Sequence, residues 1–442
     1  MNDVRHAELE AWVQSLPGSE AVRSLIRGLA GKRVMIVTHE DPDGITSGLL
    51  LMRGLTRLGA HVEVALPPEF QLWPDIWERI RPRQTVDALF ILDKGTFPDY
   101  DAFTADGMVV AVIDHHFNPT VPRKCLFVNP NLTGYTPCSN SLLVYSLLQG
   151  LTPLEPADDL LNIIGLTGDW AINYATGPVS ADKKLLYGYM NNLPAILNPL
   201  FEPITERPTW FEVQQRERTV TLNRIAELVH AVGGGAFQYY YHDRHPALAD
   251  LDHAQFMFDQ LASYCREKPD LPSLHSLDSF INEMPDCGRL RMIWEFFLAD
   301  WDETMHRLDA SFPLVTVHAT KIFLFIGEKV KLMPMIGSVK LYELKQGAKA
   351  DNALLVMVSA LEGGGVHVSV RGTAFRFNSG TMCRKLSERL RTKFGALPRY
   401  TGGGGHPVAA EMVSKSPQID LMNVLHEIMG VLNDARQHSL AE

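Results

Sequence analysis

RVMIVTHEDPDGITS, Arg33 to Ser47, is the stretch on which the reading of this 442-residue chain turns. An apolar run, Val34 to Val37, ends in a polar cluster in which His39, Asp41 and Asp43 occupy every second position. Extended backbone has a side-chain period of two, so a buried parallel strand ending here sends all three to one side. The residues from Gly44 onward, GITSGLLLMRGLTRLG, carry helical apolar spacing and predict a helix whose N-terminus opens toward an anion. Open α/β sheets bind ligands at strand ends of this kind. On its own the cluster also reads as a capped strand-to-helix turn, with Asp43 or Ser47 satisfying backbone N–H groups.

Downstream stretches repeat the pattern. Asp93 follows the strand candidate Ala88 to Leu92 in ILDKG, and Asp114, His115 and His116 follow Met108 to Ile113. Asp169 closes the helix-like segment from Leu160 in GLTGDW. Each places a carboxylate or imidazole at the end of an element, which core strands by themselves do not require.

The motifs HEDPDG, LDKG, IDHH and TGDW, in that order, together with VSVRGT and TGGGGHPVAAE near the C-terminus, resemble the DHH phosphoesterase superfamily. This is the RecJ-like group that also holds nanoRNases and cyclic-dinucleotide phosphodiesterases. The last two motifs look like the family's phosphate-binding DHHA1 domain. The resemblance implies that His39 and Asp41 hold one metal, that Asp43, His115 and Asp169 hold the other, and that Asp93 bridges them. It implies that His116 assists at the leaving oxygen and that Asp114 orients a neighbouring His. A two-cation centre needs an excess of anionic ligands and one bridging carboxylate, and mixed Asp/His shells suit two manganese ions, with magnesium as the other choice. On the substrate side, the resemblance singles out Ser369, Arg371, Gly403, Gly404, Gly405 and His406. Arg offers a planar fork for two phosphate oxygens, and successive glycine N–H groups can line an anion-binding concavity. Asn129 and Ser139 to Ser141 are further polar candidates, although they also fit ordinary turns and caps.

Length alone suggests two or three domains. The chain is expected to be α/β: a mostly parallel-sheet αβα DHH domain over residues 1–195, a helical connector over 196–312, and a smaller α+β DHHA1 domain over 313–442. Strands are expected at Val34 to Val37, His61 to Leu66, Ala88 to Leu92 and Val109 to Ile113, with helices at Ile45 to Leu58 and Ser139 to Leu148. Strands resume in LVTVHA, IFLFIG, SVKLYEL, ALLVMVSAL and VHVSVRG, and helices close the chain at Thr381 to Lys393 and Leu421 to Asn433. LEGGG at 361–365 reads as a hairpin connection. In the connector, Trp294, Phe296, Phe297 and Trp301 read as core, and the stretch around Tyr239 as a strand or a loop.

The formal net charge is −10, yet from Pro313 onward 16 Lys and Arg face 10 Asp and Glu. The C-terminal part is therefore the expected phosphate-facing surface, and no long basic track for duplex DNA is evident. Five scattered cysteines without a CxxC pair argue against a disulfide framework or a zinc ribbon. The N-terminus is polar and acidic and no apolar run is long enough to cross a bilayer, so a cytoplasmic protein without a membrane partner is expected.

These readings converge on a manganese-dependent hydrolase that cleaves phosphate esters of small nucleotides or short single-stranded oligonucleotides in a cleft between domains, by in-line attack of a metal-activated water. A RecJ-like 5′ to 3′ exonuclease specific for single strands is the enzymatic alternative. A catalytically silent scaffold that binds nucleic acid is the rival from another class. The helical connector is expected to set substrate length or to mediate a homodimer.

Overall fold

The computed structural model describes residues 4–437 apart from 96, 117–120, 133–137, 174–176, 179–182, 206–208, 212–218, 235–240, 242–243, 272–273, 329–331, 362–363 and 374–376. The chain divides into two compact units, Met1–Trp294 and Glu295–Glu442. Among the described residues no helix is long and apolar enough to cross a membrane.

The first unit is built on a five-stranded sheet in the order β2-β1-β3-β4-β5. Its strands are β1 (Arg33–Thr38), β2 (His61–Ala65), β3 (Ala88–Leu92), β4 (Val109–Ile113) and β5 (Leu126–Val128), and every pairing is parallel. A parallel sheet is covered on both faces at its centre, which is why β1, β3 and β4 read as continuous apolar runs, whereas the edge strand β2, HVEVA, alternates and stays partly exposed. Met35, Val37, Leu89, Ile91, Val110 and Val112 pack with Trp77, Tyr100 and Phe103. The alternate residues Val34, Ile36, Ala88, Phe90, Ala111 and Ile113 are equally buried.

Helices α1 (Val4–Ser15) and α2 (Ser19–Arg27) precede the sheet, and α3 (Pro42–Arg57) and α4 (Pro74–Ile80) follow β1 and β2. After β5 come α5 (Asn140–Leu148), α6 (Pro156–Gly168), α7 (Lys183–Met190) and α8 (Thr221–Gly233), with a short pairing of β6 (Ile172–Asn173) and β7 (Gly177–Pro178) between α6 and α7. α3, α5 and α6 pack on one another at close range. A Cβ on Gly165 of α6 would lie 2.2 Å from the Ser141 hydroxyl and 2.7 Å from that of Thr46, so only glycine fits this crossing. The helical stretch expected to connect two domains belongs, as far as Trp294, to this unit. α8 packs on α6, and the helix His253–Glu267 packs on α3 and α8, because their apolar faces have this surface to cover. Of the four aromatics expected in the core, Phe297 and Trp301 are buried, whereas Trp294 and Phe296 are half-buried. Tyr239 lies outside the described residues.

The second unit carries a six-stranded sheet in the order β12-β13-β11-β10-β9-β8. Its strands are β8 (Phe312–Val317), β9 (Thr320–Glu328), β10 (Asn352–Ala360), β11 (Val366–Gly372), β12 (Thr401–Gly405) and β13 (Ala409–Ser414). Only β9 and β10 pair parallel. One face, with Leu354, Val356, Val358, Val366, Val368 and Val370, buries against the helices Ser379–Phe394 and Leu421–Gln437. SVKLYEL, expected as a strand, lies instead inside a helix, Met333–Gly347. Its alternation is local, whereas Met335, Ile336 and Val339, all buried, follow helical spacing. The LEGGG connection spans residues 362 and 363, which lie outside the described set.

Candidate metal centre

β1, β3 and β4 end side by side, and the residues that follow them meet at the carboxyl edge of the sheet. Asp41 is the N-cap of α3 and accepts a hydrogen bond from Gly44 N at 2.8 Å. His39 Nδ1 lies 3.1 Å from Asp41 Oδ2 and 3.8 Å from Asp93 Oδ2. The other oxygen of Asp93 faces a different imidazole, His115 Nε2, at 3.2 Å. That same nitrogen is 3.5 Å from Asp43 Oδ2 and 3.0 Å from Asp169 Oδ2. Three donor sets share the Asp93 carboxylate: His39, Asp41 and Asp93; Asp43, Asp93 and His115; and Asp93, Asp114 and His116, whose Nδ1 lies 3.6 Å from Asp93 Oδ1. All six residues singled out in the sequence as metal ligands come together.

The strand-end backbone is shaped for this convergence. Asp93 itself has φ of 53° and Trp170, just after Asp169, has φ of 58°. For residues other than glycine this left-handed region costs energy, which persists where the surroundings over-determine it.

The electrostatics are those of an uncompensated anionic cluster. Burial pushes the Asp93 carboxyl well above the usual aspartate range, and Asp41, Asp43 and Asp114 push the same way. Burial likewise raises Asp169 well above that range, aided by Asp43 and Asp93. Asp43 is raised by burial and by Asp41, against the pull of His115 and of the Ser141 and Asn140 N–H groups. Burial acts to raise Asp41 too, but the His39 imidazole at close range holds it below its ordinary value. Asp93 Oδ2, Asp169 Oδ2 and His39 Nδ1 are buried without a well-directed hydrogen-bond partner. Buried polar atoms are rarely left so, and a cation is the group that would satisfy two carboxylate oxygens and an imidazole nitrogen together.

Of the supporting residues, Asn131 and Lys94 are ones that sequence reasoning passed over, whereas Asn129, Ser139 to Ser141 and Asp114 were singled out. Asp43 accepts from Asn140 N at 2.5 Å and Ser141 N at 2.8 Å, so the N-terminus of α5 holds it in place. Ser139 caps that helix through Leu142 N, and its hydroxyl meets that of Ser141 at 2.8 Å. Asn129 Nδ2 donates to the carbonyl of His116 at 3.0 Å, and Asn131 Nδ2 donates to that of His115. Asn129, Ser139 and Ser141, candidates for substrate contact, therefore shape the site from behind. Asp114, fully buried, holds His116 Nδ1 at 2.9 Å. Lys94 is buried to 1% exposure beside Asp93, a placement that its position in LDKG does not announce.

In the second unit, His367, Ser369 and Arg371 alternate along β11 on the face opposite the core. Ser369 is paired in register with Glu411 of β13. Arg371, expected to offer its fork to phosphate, directs its guanidinium to Glu411 Oε1 at 3.1 Å and to the carbonyls of Pro334, Val370 and Ala410. His367 Nε2 lies 3.0 Å from Glu411 Oε2. Burial acts to raise Glu411, but His367 and Arg371 bring it down to about 2. Ser369 Oγ is buried without a hydrogen-bond partner. Gly403, Gly404 and Gly405 belong to a strand, β12, whose Gly404 is opposite Glu411. The run is therefore part of a sheet edge. The carbonyl of His406, just beyond it, accepts from Gly380 N in the first turn of helix Ser379–Phe394.

A family model described as the DHH family, N-terminal domain, matches residues 33–166. The single-stranded-DNA-specific exonuclease RecJ of Thermus thermophilus is 32% identical over 107 residues, which cover 23% of this chain and 16% of that protein. The chain thus matches only a small part of this curated relative. The structure of RecJ from the same organism in complex with Mn2+ aligns over 96% of this chain and 55% of that one, with a TM-score of 0.55 and 16% identity. The DHH domain of a member of the s1p family of ribosomal proteins aligns over 98% of this chain and 93% of that one, with a TM-score of 0.62 and 15% identity. At such identities the structural likeness concerns the fold alone. Residues 33–166, which build the sheet and carry His39, Asp41, Asp43, Asp93 and His115, therefore correspond to the N-terminal domain of the DHH family.

Proposed function

We propose that the first unit is a two-metal phosphoesterase centre in which His39 and Asp41 hold one divalent cation, Asp43, His115 and Asp169 hold a second, and Asp93 lies between them. The observation that carries this reading is the Asp93 carboxylate, whose two oxygens face the imidazoles of two different donor sets. When bound, such a pair of cations lowers the pKa of a coordinated water and compensates charge growing on the phosphoryl oxygens. The chain's own part is to hold the four carboxylates in place. The Gly44 N–H holds Asp41, and the α5 N-terminus holds Asp43. His116, with Nδ1 engaged by Asp114, delivers a proton from its other ring nitrogen to the leaving oxygen. Manganese is the proposed metal, with magnesium as the competitor.

The proposed substrates are phosphate esters of small nucleotides or short single-stranded oligonucleotides. In the second unit, the β12 edge, His406 and Ser369 are the proposed phosphate contacts. Arg371 takes part only by exchanging Glu411 for the substrate. The second reading, a 5′ to 3′ exonuclease on long single strands, draws on the local identity to RecJ.

Hydrolysis assays with Mn2+ over a labelled dinucleotide and a long single strand separate the two readings. A short-substrate enzyme consumes the dinucleotide and leaves the long strand nearly intact, whereas an exonuclease shortens the strand from one end. Absence of metal-stimulated hydrolysis on both sinks the phosphoesterase reading and leaves the silent scaffold.

A further inference from the structure

Between β2 and α4 the chain presents Phe70 at the rim of the metal centre. The residue is 40% exposed, one of the exposed large apolar residues among those described. Yet it is held against the site: its centroid lies 5.3 Å from that of His39 and 5.0 Å from that of His116, both in T-shaped contacts. The backbone that carries it is tied down from below. Lys94, immediately after Asp93, buries its ammonium under this segment and donates to the carbonyls of Pro67 and Glu69, each at 2.6 Å. The Lys94 carbonyl in turn accepts from the Tyr100 hydroxyl at 2.9 Å. Gly95 has φ of 72°, and a Cβ there would come within 2.7 Å of the Phe70 ring.

A phenyl group held this firmly and left open to solvent is not serving the core. It stands beside His39 and His116, at the border of an otherwise anionic pocket. An apolar π-face in that position suits a flat, uncharged aromatic group attached to a phosphate held by the cations. Aromatic side chains that receive bases in this way bind them through stacking, whichever base is offered.

We propose that Phe70 is a specificity-determining residue on which the base of the nucleotide next to the scissile phosphate stacks, so that the centre favours base-bearing esters over base-free phosphodiesters. Lys94 is the positioning residue that sets the height of this platform. The inference rests on the phosphoesterase reading and narrows it to nucleotide substrates without a preferred base.

The test uses the full chain with Mn2+ and two substrates, a dinucleotide and its counterpart in which both bases are replaced by abasic sugar. Phe70→Ala is expected to raise KM for the dinucleotide about ten- to a hundredfold with kcat within about twofold, and to leave the abasic substrate unchanged. Phe70→Trp restores the dinucleotide KM, and Phe70→Leu, apolar but without a π-face, does not. Equal losses on both substrates, or a fall in kcat alone, would mean that the ring merely props the two imidazoles, and the inference is overturned. A 2-aminopurine dinucleotide gives a readout independent of turnover. Its fluorescence should be quenched on binding to the wild type and not on exposure to Phe70→Ala. If the wild type hydrolyses neither substrate but quenches through Phe70, the phosphoesterase reading fails and the stacking site stands. If the wild type gives no quenching, the stacking site fails whatever the hydrolysis assay returns.

Discussion

Asp93 sits on an energetic conflict. Its carboxylate is 1% exposed, lies among Asp41, Asp43 and Asp114, and has one oxygen without a hydrogen bond. Without a cation the folded chain carries this charge at a cost; with one, the same charge is a ligand. Asp93→Asn keeps the shape and removes the charge, so its effect on stability should change sign with metal. In EDTA the variant should be more stable than wild type, by about 1–3 kcal/mol, the scale of relieving one buried uncompensated group. In Mn2+ it should be the less stable of the two, and hydrolysis should fall by more than about 100-fold. Thermal melts of both proteins in both buffers check this, and parallel shifts in EDTA and Mn2+ would sink the bridging role. The ligand residues were legible because each ends a strand or helix in a fixed chemical pattern, and such patterns are local. Lys94, Phe70 and the Arg371 to Glu411 pair were not, since each acquires its role from a partner distant in sequence. Arg371 has the side chain suited to phosphate, but only the register of β11 against β13 reveals that Glu411 occupies it.

Among elements, α3 and α6 matter most, since Asp41 and Asp43 start the one and Asp169 follows the other. Their crossing is clamped by ions as well as by packing. Arg53 Nε meets Asp158 Oδ1 at 2.7 Å and its Nη2 meets Glu155 Oε2 at 2.6 Å, while Arg57 reaches the same two carboxylates. Asp158 is fully buried. Removing Arg53 leaves the buried Asp158 to Arg57 alone, so Arg53→Met should cost about 1–3 kcal/mol of stability in urea unfolding, less than a fully orphaned charge would. Arg53→Met combined with Asp158→Leu should recover part of that loss, because the half-compensated carboxylate is gone and Arg57 keeps Glu155; a loss below about 0.5 kcal/mol in the single variant would count against the clamp. The central strands of the first sheet, β1, β3 and β4, were readable because burial on both faces forces uninterrupted apolar runs. SVKLYEL was misread, and the glycine run was not recognised as a strand, for a related reason: a helix turning its apolar stripe to a sheet can alternate over a few residues, and a strand of glycines carries no side-chain period at all. Only the pairing of Gly403 with Met412 and of Gly404 with Glu411 identifies it as a strand.

For the molecule as a whole, the crowding of carboxylates in a chain of net charge −10 couples stability, pH and metal. Asp43, Asp93 and Asp169 all have folded-state values raised above the ordinary 3.8, with burial as the first cause. A carboxyl raised in the folded state takes up protons more readily there than in the unfolded chain. Its contribution is therefore fully favourable below the unfolded value and is lost as pH climbs through the folded one. In EDTA these three groups should make stability fall as pH rises from the acid side toward neutrality. Bound cations require the same groups deprotonated, so protons compete with metal and the stabilisation by metal must grow over that range. With free Mn2+ at about 100 times its dissociation constant the gain is about 2.7 kcal/mol, and at lower pH the weaker affinity reduces it. Melting temperatures measured from about pH 5.5 to 8, with Mn2+ and with EDTA, should diverge steadily with increasing pH. Curves that stay parallel would mean that the carboxylates do not share a cation, and with that the two-metal centre would lose its electrostatic basis.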